Sequence, residues 1–179
     1  MKKKLIISVA ITLGIMILIG VLGSVYYFGY YKPLRAELIE KARQLEEIDS
    51  RMYYNPNGEN RSEESIKAIE EELIAEVSKL YIADSELLKE RVEKINTYVS
   101  KMSHKDSAYY SQYRVYVNEV NSVRVVGKQV HVEVTIYTDA IRNEENGLID
   151  RKFGSRMNLI FEKHNSEWYI VKEDIKPIV

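Results

Sequence analysis

Val130-His131-Val132-Glu133-Val134-Thr135-Ile136-Tyr137 alternates apolar and polar residues without a fault. Side chains in a strand point to opposite faces in turn, so the four aliphatic residues share one face. One buried face needs a partner layer, and the flanking sequence supplies the rest of a sheet. Upstream, Gly127-Lys128 reads as a tight turn. Before it, Val115, Val117, Val123 and Val125 share a phase and Val120 is out of step. A bulge near Asn118–Asn121 is expected to restore the alternation and bend the strand. Downstream, Ile141–Asp150 reads as a charged loop containing Asn146-Gly147. A third strand is expected over Arg151–Glu162, with Met157, Leu159 and Phe161 on one face. His164-Asn165-Ser166 turns the chain, and Trp168-Tyr169-Ile170-Val171 starts a last strand that runs to about Asp174. The pattern predicts a four-stranded antiparallel meander.

The preceding residues carry a different period. Leu34, Leu38, Ala42, Leu45, Ile48 and Met52 recur every three or four residues, which is one stripe of a helix. That helix either pairs as a short coiled coil or packs on its own domain. Tyr53–Arg61 is a loop by its Asn, Pro and Gly content. Ser62 is a candidate N-cap, followed by Glu63 and Glu64 where the helix dipole favours acids. Ile66, Ile69, Leu73, Val77 and Leu80 form the next stripe. Asp84 or Ser85 caps a further helix with Leu88, Val92, Ile95, Val99 and Met102 inward. Helices first and strands after predict an α+β layer structure, with one sheet face against the helices.

At the start of the chain, Met1-Lys2-Lys3-Lys4 precedes 27 uncharged residues, Leu5–Tyr31. A bilayer core of ~30 Å needs roughly 20 apolar residues in helix. A cleaved signal peptide has an apolar region of only about 7–15 residues. The run therefore reads as an uncleaved single-pass anchor in the lipid bilayer. Tyr26, Tyr27, Tyr30 and Tyr31 are expected at the headgroup level, where an aromatic ring with a polar tip is favoured. Lysines are retained on the cytoplasmic side, so the short tail is expected inside and the main domain outside the cell membrane. Ala10/Gly14 and Gly20/Ser24 are small pairs four apart that permit close helix approach. The domain plan is a tail at 1–4, a transmembrane helix at 5–31, a juxtamembrane helix and loop at 32–61, and an extracytoplasmic α+β domain at 62–179.

Beyond residue 31 the chain has 23 basic and 27 acidic residues, a formal charge of −4. No basic cluster has the density of a nucleic-acid footprint, so direct nucleic-acid binding is not expected. The absence of cysteine excludes disulfides and thiol chemistry and is compatible with export.

A short tail, one membrane helix, amphipathic helices, long bent strands and a final strand of the type Glu167-Trp168-Tyr169-Ile170-Val171-Lys172 resemble the nuclear transport factor 2-like fold. Its membrane-anchored versions include the VirB-eight-like assembly factors of type IV secretion and their Gram-positive conjugation relatives. The resemblance implies a curved, cone-like four-stranded sheet under the helices. It also implies a domain that forms dimers or trimers and holds other subunits of an envelope complex. It carries no binding residue onto particular positions.

No catalytic, cofactor or metal residues are expected. His104, His131 and His164 lie apart, and no spacing suits a metal site. Nucleophile elbows and phosphate-cradling glycine loops are absent. His131 and Glu133 share a strand face, which reads first as a solvated or cross-strand polar face; a pocket lined by them would favour a cavity enzyme of the isomerase type. Among 14 tyrosines, Tyr109, Tyr110, Tyr113 and Tyr116 crowd the start of the sheet and are the candidate interface. Strand filling is the more ordinary explanation of them, since aromatics favour pleated surfaces. The function expected is a non-enzymatic, membrane-anchored scaffold of a bacterial envelope machine, a conjugative type IV secretion system first among them. The alternative is an accessory or ligand-binding domain of the same fold.

Overall fold

Lys2–Tyr26 forms helix α1 in the computed structural model of the chain, which describes residues 2–144 and 147–178 and side chains from Thr12 onward. Tyr27–Tyr31 winds as a π-helical turn, and α2 runs over Lys32–Arg51. Two compact units divide at Glu37 and Leu38. In the first unit, the N-terminal helix is long and apolar enough to cross a membrane. Its large side chains from Leu13 to Tyr30 are exposed, which in water would be unfavourable over so long a stretch. The aromatic cluster stacks along the helix, with ring centroids 5.6 Å apart for Tyr26 and Tyr30 and 5.8 Å for Tyr27 and Tyr31. Ser24 donates its hydroxyl to the Gly20 carbonyl at 2.8 Å, so its polar group is satisfied inside the helix. The Ala10 side chain lies outside the described residues.

The second unit begins at Leu38, ahead of the boundary that the pattern at Ser62 suggests. Leu38, Ala42, Leu45, Ile48 and Met52 of α2 are buried in its core. The helix packs on its own domain, one of the two roles its stripe allowed. Ser62 then caps α3 (Glu63–Val77), accepting from the Ser65 backbone N–H at 3.2 Å. Ser85 caps α4 (Glu86–Met102) in the same way through Leu88 at 3.2 Å. Each cap satisfies a donor the first helical turn leaves open, worth ~1 kcal/mol. Asp84 takes φ +60° immediately before, turning the chain into the cap.

Four strands follow: β1 (Tyr110–Val126), β2 (Gln129–Glu144), β3 (Gly147–His164) and β4 (Glu167–Ile178). All neighbours are antiparallel, in the order β1-β2-β3-β4. The first hairpin closes at Gly127-Lys128, with Gly127 at φ +61°. The last closes at Asn165-Ser166, both at positive φ, as a two-residue hairpin whose twist matches the strands requires. The middle connection differs from the expected charged loop at Ile141–Asp150. Pairing continues through Ile141↔Asp150 to Glu144↔Gly147; Glu145 and Asn146 lie outside the described residues. Cross-strand hydrogen bonds and the Arg151–Glu144 bridge hold these polar residues in register, where burial is not needed. β4 likewise runs to Ile178 rather than stopping near Asp174.

Strand β1 contains one irregularity near its start, between Tyr110 and Gln112, and two around the expected bulge, between Val117 and Glu119 and between Val120 and Ser122. A single inserted residue would bring Val120 into phase and throw Val123 out. Two insertions align Val117, Val120 and Val123 opposite Ile136, Val134 and Val132. One sheet face therefore carries Val115, Val123, Val130, Val132, Val134, Ile136, Met157, Leu159, Phe161 and Ile170 into the core beneath α2 and α4. Trp168 is 7% exposed at the end of this face.

Candidate functional site

The inward face of the sheet is not purely apolar. Asp49 on α2 follows Ile48, lies one turn from Leu45 and faces Arg91 of α4 across the helix layer. Arg91 donates from Nη1 to both Asp49 carboxylate oxygens at 3.0 Å and from Nε to Glu173 of β4 at 3.0 Å. Lys94 adds a 2.7 Å bond to Asp49, and the Tyr81 hydroxyl donates to Glu173. Arg91 is 6% exposed. Burial works against its charge, but Asp49 and Glu173 outweigh it and hold the guanidinium above its ordinary pKa. This network ties α2, α4 and β4 together. A buried charge stripped of its partner costs ~3–5 kcal/mol, so the network fixes the relative placement of three elements.

Glu46 extends the polar seam toward the sheet. Thr138 of β2 donates to it at 3.3 Å, and Ser50 shares a 3.2 Å bond with Thr138. Ser155 of β3 also hydrogen-bonds its carboxylate. Burial, then the neighbouring Asp49 charge, push the Glu46 carboxyl up to about 7 against the pull of Ser155, Thr138 and Lys94. The carboxyl is thus an internal proton site between helix and sheet.

The four candidate interface tyrosines do not share a surface. Tyr110 is buried, stacked between Tyr53 at 5.4 Å and Phe153 at 5.7 Å. Tyr113 meets Tyr54 edge-on at 5.2 Å and donates its hydroxyl to Glu47 of α2 at 2.9 Å. Tyr109 is half-buried over Gly58, where φ is +63° and any Cβ would strike its hydroxyl. These three close the junction between sheet and helices. Tyr116 alone points to the opposite, outer face, because the phase of β1 places it opposite Tyr137.

On that outer face Tyr116 and Tyr137 pair at 6.2 Å. The Lys152 ammonium stands 4.5 Å from the Tyr137 ring centroid and 5.5 Å from that of Tyr116; the Arg114 guanidinium stands 5.9 Å from Tyr116. Tyr137 lies across Gly154, its partner on β3; a Cβ there would come within 2.7 Å of the ring. No spacing in the chain signals this cluster, since Tyr137 and Gly154 meet only through strand register. A depression of about 500 Å³ adjoins it, lined by Arg114, Asp139, Ile141, Asp150, Arg151 and Lys152. Such rings with fixed cations above them are preformed contact surfaces of low entropy cost.

Farther along the same face, His131 and Glu133 line a pocket of about 250 Å³. As i and i+2 neighbours their backbones are ~7 Å apart. Among the described residues no hydrogen bond joins them. His131 Nε2 is buried and makes no hydrogen bond. His104 and His164 are exposed elsewhere, and among the described residues no group of carboxylates and imidazoles is arranged to hold a metal ion. No protein-family model matches the chain, and no curated protein sequence matches it.

Proposed function

We propose that the protein is a membrane-anchored, non-enzymatic assembly or scaffold subunit of a bacterial envelope machine, with a conjugative type IV secretion system as the first candidate. The observation that carries the reading is the outer sheet face, where Tyr116, Tyr137, Lys152 and Arg114 form an organised aromatic–cationic patch opposite the face that packs into the core. The apolar α1 supports placement at a membrane, and Lys2–Lys4 support a cytoplasmic N-terminus with the main domain outside. Anchoring confines the patch to the membrane surface and raises its effective concentration for partners held there. A second copy of the chain, as dimer or trimer, is one such partner and neighbouring channel subunits are others.

The test is photo-crosslinking in the native host, with a crosslinkable residue in place of Tyr116 or Tyr137 in the full-length protein and mass spectrometry of the products. Capture of secretion-channel subunits from these positions, and not from the exposed Lys67 of α3, is the expected result. Capture of wall-synthesis proteins instead would replace the scaffold reading with the accessory-domain one. The pocket lined by His131 and Glu133 is the observation that favours a cavity enzyme instead; Ala in place of His131 is expected to leave assembly intact, and loss of function in a folded variant would overturn the non-enzymatic reading.

A further inference from the structure

Arg124, His131, Ile160 and Lys172 are consecutive cross-strand partners on β1, β2, β3 and β4. Neighbouring strands lie ~4.8 Å apart, so two long cationic side chains flank one imidazole along a single row. The next row on the same face is Ser122, Glu133, Asn158 and Asp174. The pocket of about 250 Å³ opens between these rows. It lies six residues along β2 from Tyr137, about 20 Å at ~3.3 Å per residue, and is separate from the aromatic patch.

Its charges are unspent. Among the described residues, the side chains of Arg124, Lys172 and Glu133 make no ion pair or hydrogen bond, while Asp174 is held by Lys176 at 2.9 Å. His131 Nε2 is buried beside them without a partner. A buried ring nitrogen left unpaired is unfavourable, and the two free cations add repulsion across the row. A bound anion removes both penalties.

We propose that this pocket binds the phosphate group of a small hydroxylated phosphate ester. Arg124 and Lys172 neutralise the phosphate from opposite ends of the row, His131 donates from Nε2 to one of its oxygens, and Glu133 accepts from a neighbouring hydroxyl. Three donors from three strands suit a tetrahedral group; a planar carboxylate is better served by one bidentate arginine. Glu133 sets the second requirement, since a carboxylate accepts and cannot donate. The volume holds about eight waters at ~30 Å³ each, enough for a phosphate and a short polyol. The chemistry is common to a free polyol phosphate and to a glycerophospholipid headgroup.

The experiment uses full-length protein in phosphatidylcholine nanodiscs with ¹³C-labelled histidine, which has only three signals, from His104, His131 and His164. Inorganic phosphate and glycerol phosphate are titrated separately. The expected result is a saturable shift of the His131 signal at lower concentration of glycerol phosphate than of phosphate, with His104 unmoved. Arg124→Ala and Lys172→Ala each weaken both by about tenfold. Glu133→Gln abolishes the preference for glycerol phosphate and leaves phosphate binding in place. A His131 shift on changing to phosphatidylglycerol nanodiscs, without added ester, assigns the phosphate to the lipid headgroup; a shift with soluble ester alone assigns it to a free ligand. Failure of His131 to shift in all arms, or an equal shift in the Arg124 and Lys172 variants, overturns the proposal. Both cations are solvent-exposed, so these variants keep the fold, and unchanged Trp168 fluorescence verifies that. The inference does not rest on the scaffold role.

Discussion

Replacing Glu46 with Gln is expected to stabilise the domain at pH 8 and to flatten its pH dependence. The carboxyl rises from an ordinary 4.5 to about 7 in the folded protein because burial and Asp49 disfavour its charge. Between those values the native state holds a proton that the unfolded chain has released. Stability is therefore fully present below about 4.5 and is lost as pH rises through about 7. At ~1.4 kcal/mol per pH unit the loss reaches at most ~3 kcal/mol, and partial solvent access at the half-buried side chain reduces it. Glutamine keeps the shape and the bonds from Thr138 and Ser155 without a charge to desolvate. Urea unfolding of the full-length protein in detergent micelles, followed through the single tryptophan at pH 5, 6, 7 and 8, measures both proteins. The Glu40 and Glu144 carboxyls, lowered by hydrogen bonds from Arg43 and Arg151, act below this window, so they do not mimic the effect. Equal pH slopes for wild type and Glu46→Gln between pH 5 and 8 would refute the reasoning.

Arg91→Ala leaves the partly buried Asp49 and Glu173 without their shared cation and is expected to cost up to ~3–5 kcal/mol; the same unfolding assay reads it, and a loss under 1 kcal/mol, roughly that of an exposed pair, would show that the network is solvated. Trp168→Ala removes a nearly buried indole and is expected to cost ~3–5 kcal/mol, checked by thermal melts followed by far-ultraviolet circular dichroism. Gly154→Ala forces Tyr137 off its partner and is expected to cost ~1–3 kcal/mol and to reduce crosslinking from position 137; unchanged crosslinking would mean that the ring finds an equivalent place.

The helices and strands were readable because their signals are local. Ser62 and Ser85 cap the helices they precede, and the alternation at 130–137 carries one buried face. The second bulge of β1 was not readable, since only the partner strand shows that Val117, Val120 and Val123 must all face the core. Polar residues at 141–150 looked like a loop because composition reports burial, whereas a long hairpin is held by backbone bonds that polar residues make equally well. The tyrosines illustrate the same limit. Their crowding at 109–116 is visible in the chain, but strand phase sends Tyr110 into the core and Tyr116 to the outer surface.

By itself the sequence determined what depends on near neighbours: an apolar helix long enough for a bilayer, amphipathic helices with their caps, and strands of period two. The tertiary structure alone decided what depends on residues far apart in the chain. Asp49, Arg91 and Glu173 join across three elements; Tyr137 settles on Gly154; Arg124, His131 and Lys172 line up across four strands. Periodicity fixes which face a side chain takes, but register fixes whom it meets, and register is a property of the folded sheet as a whole.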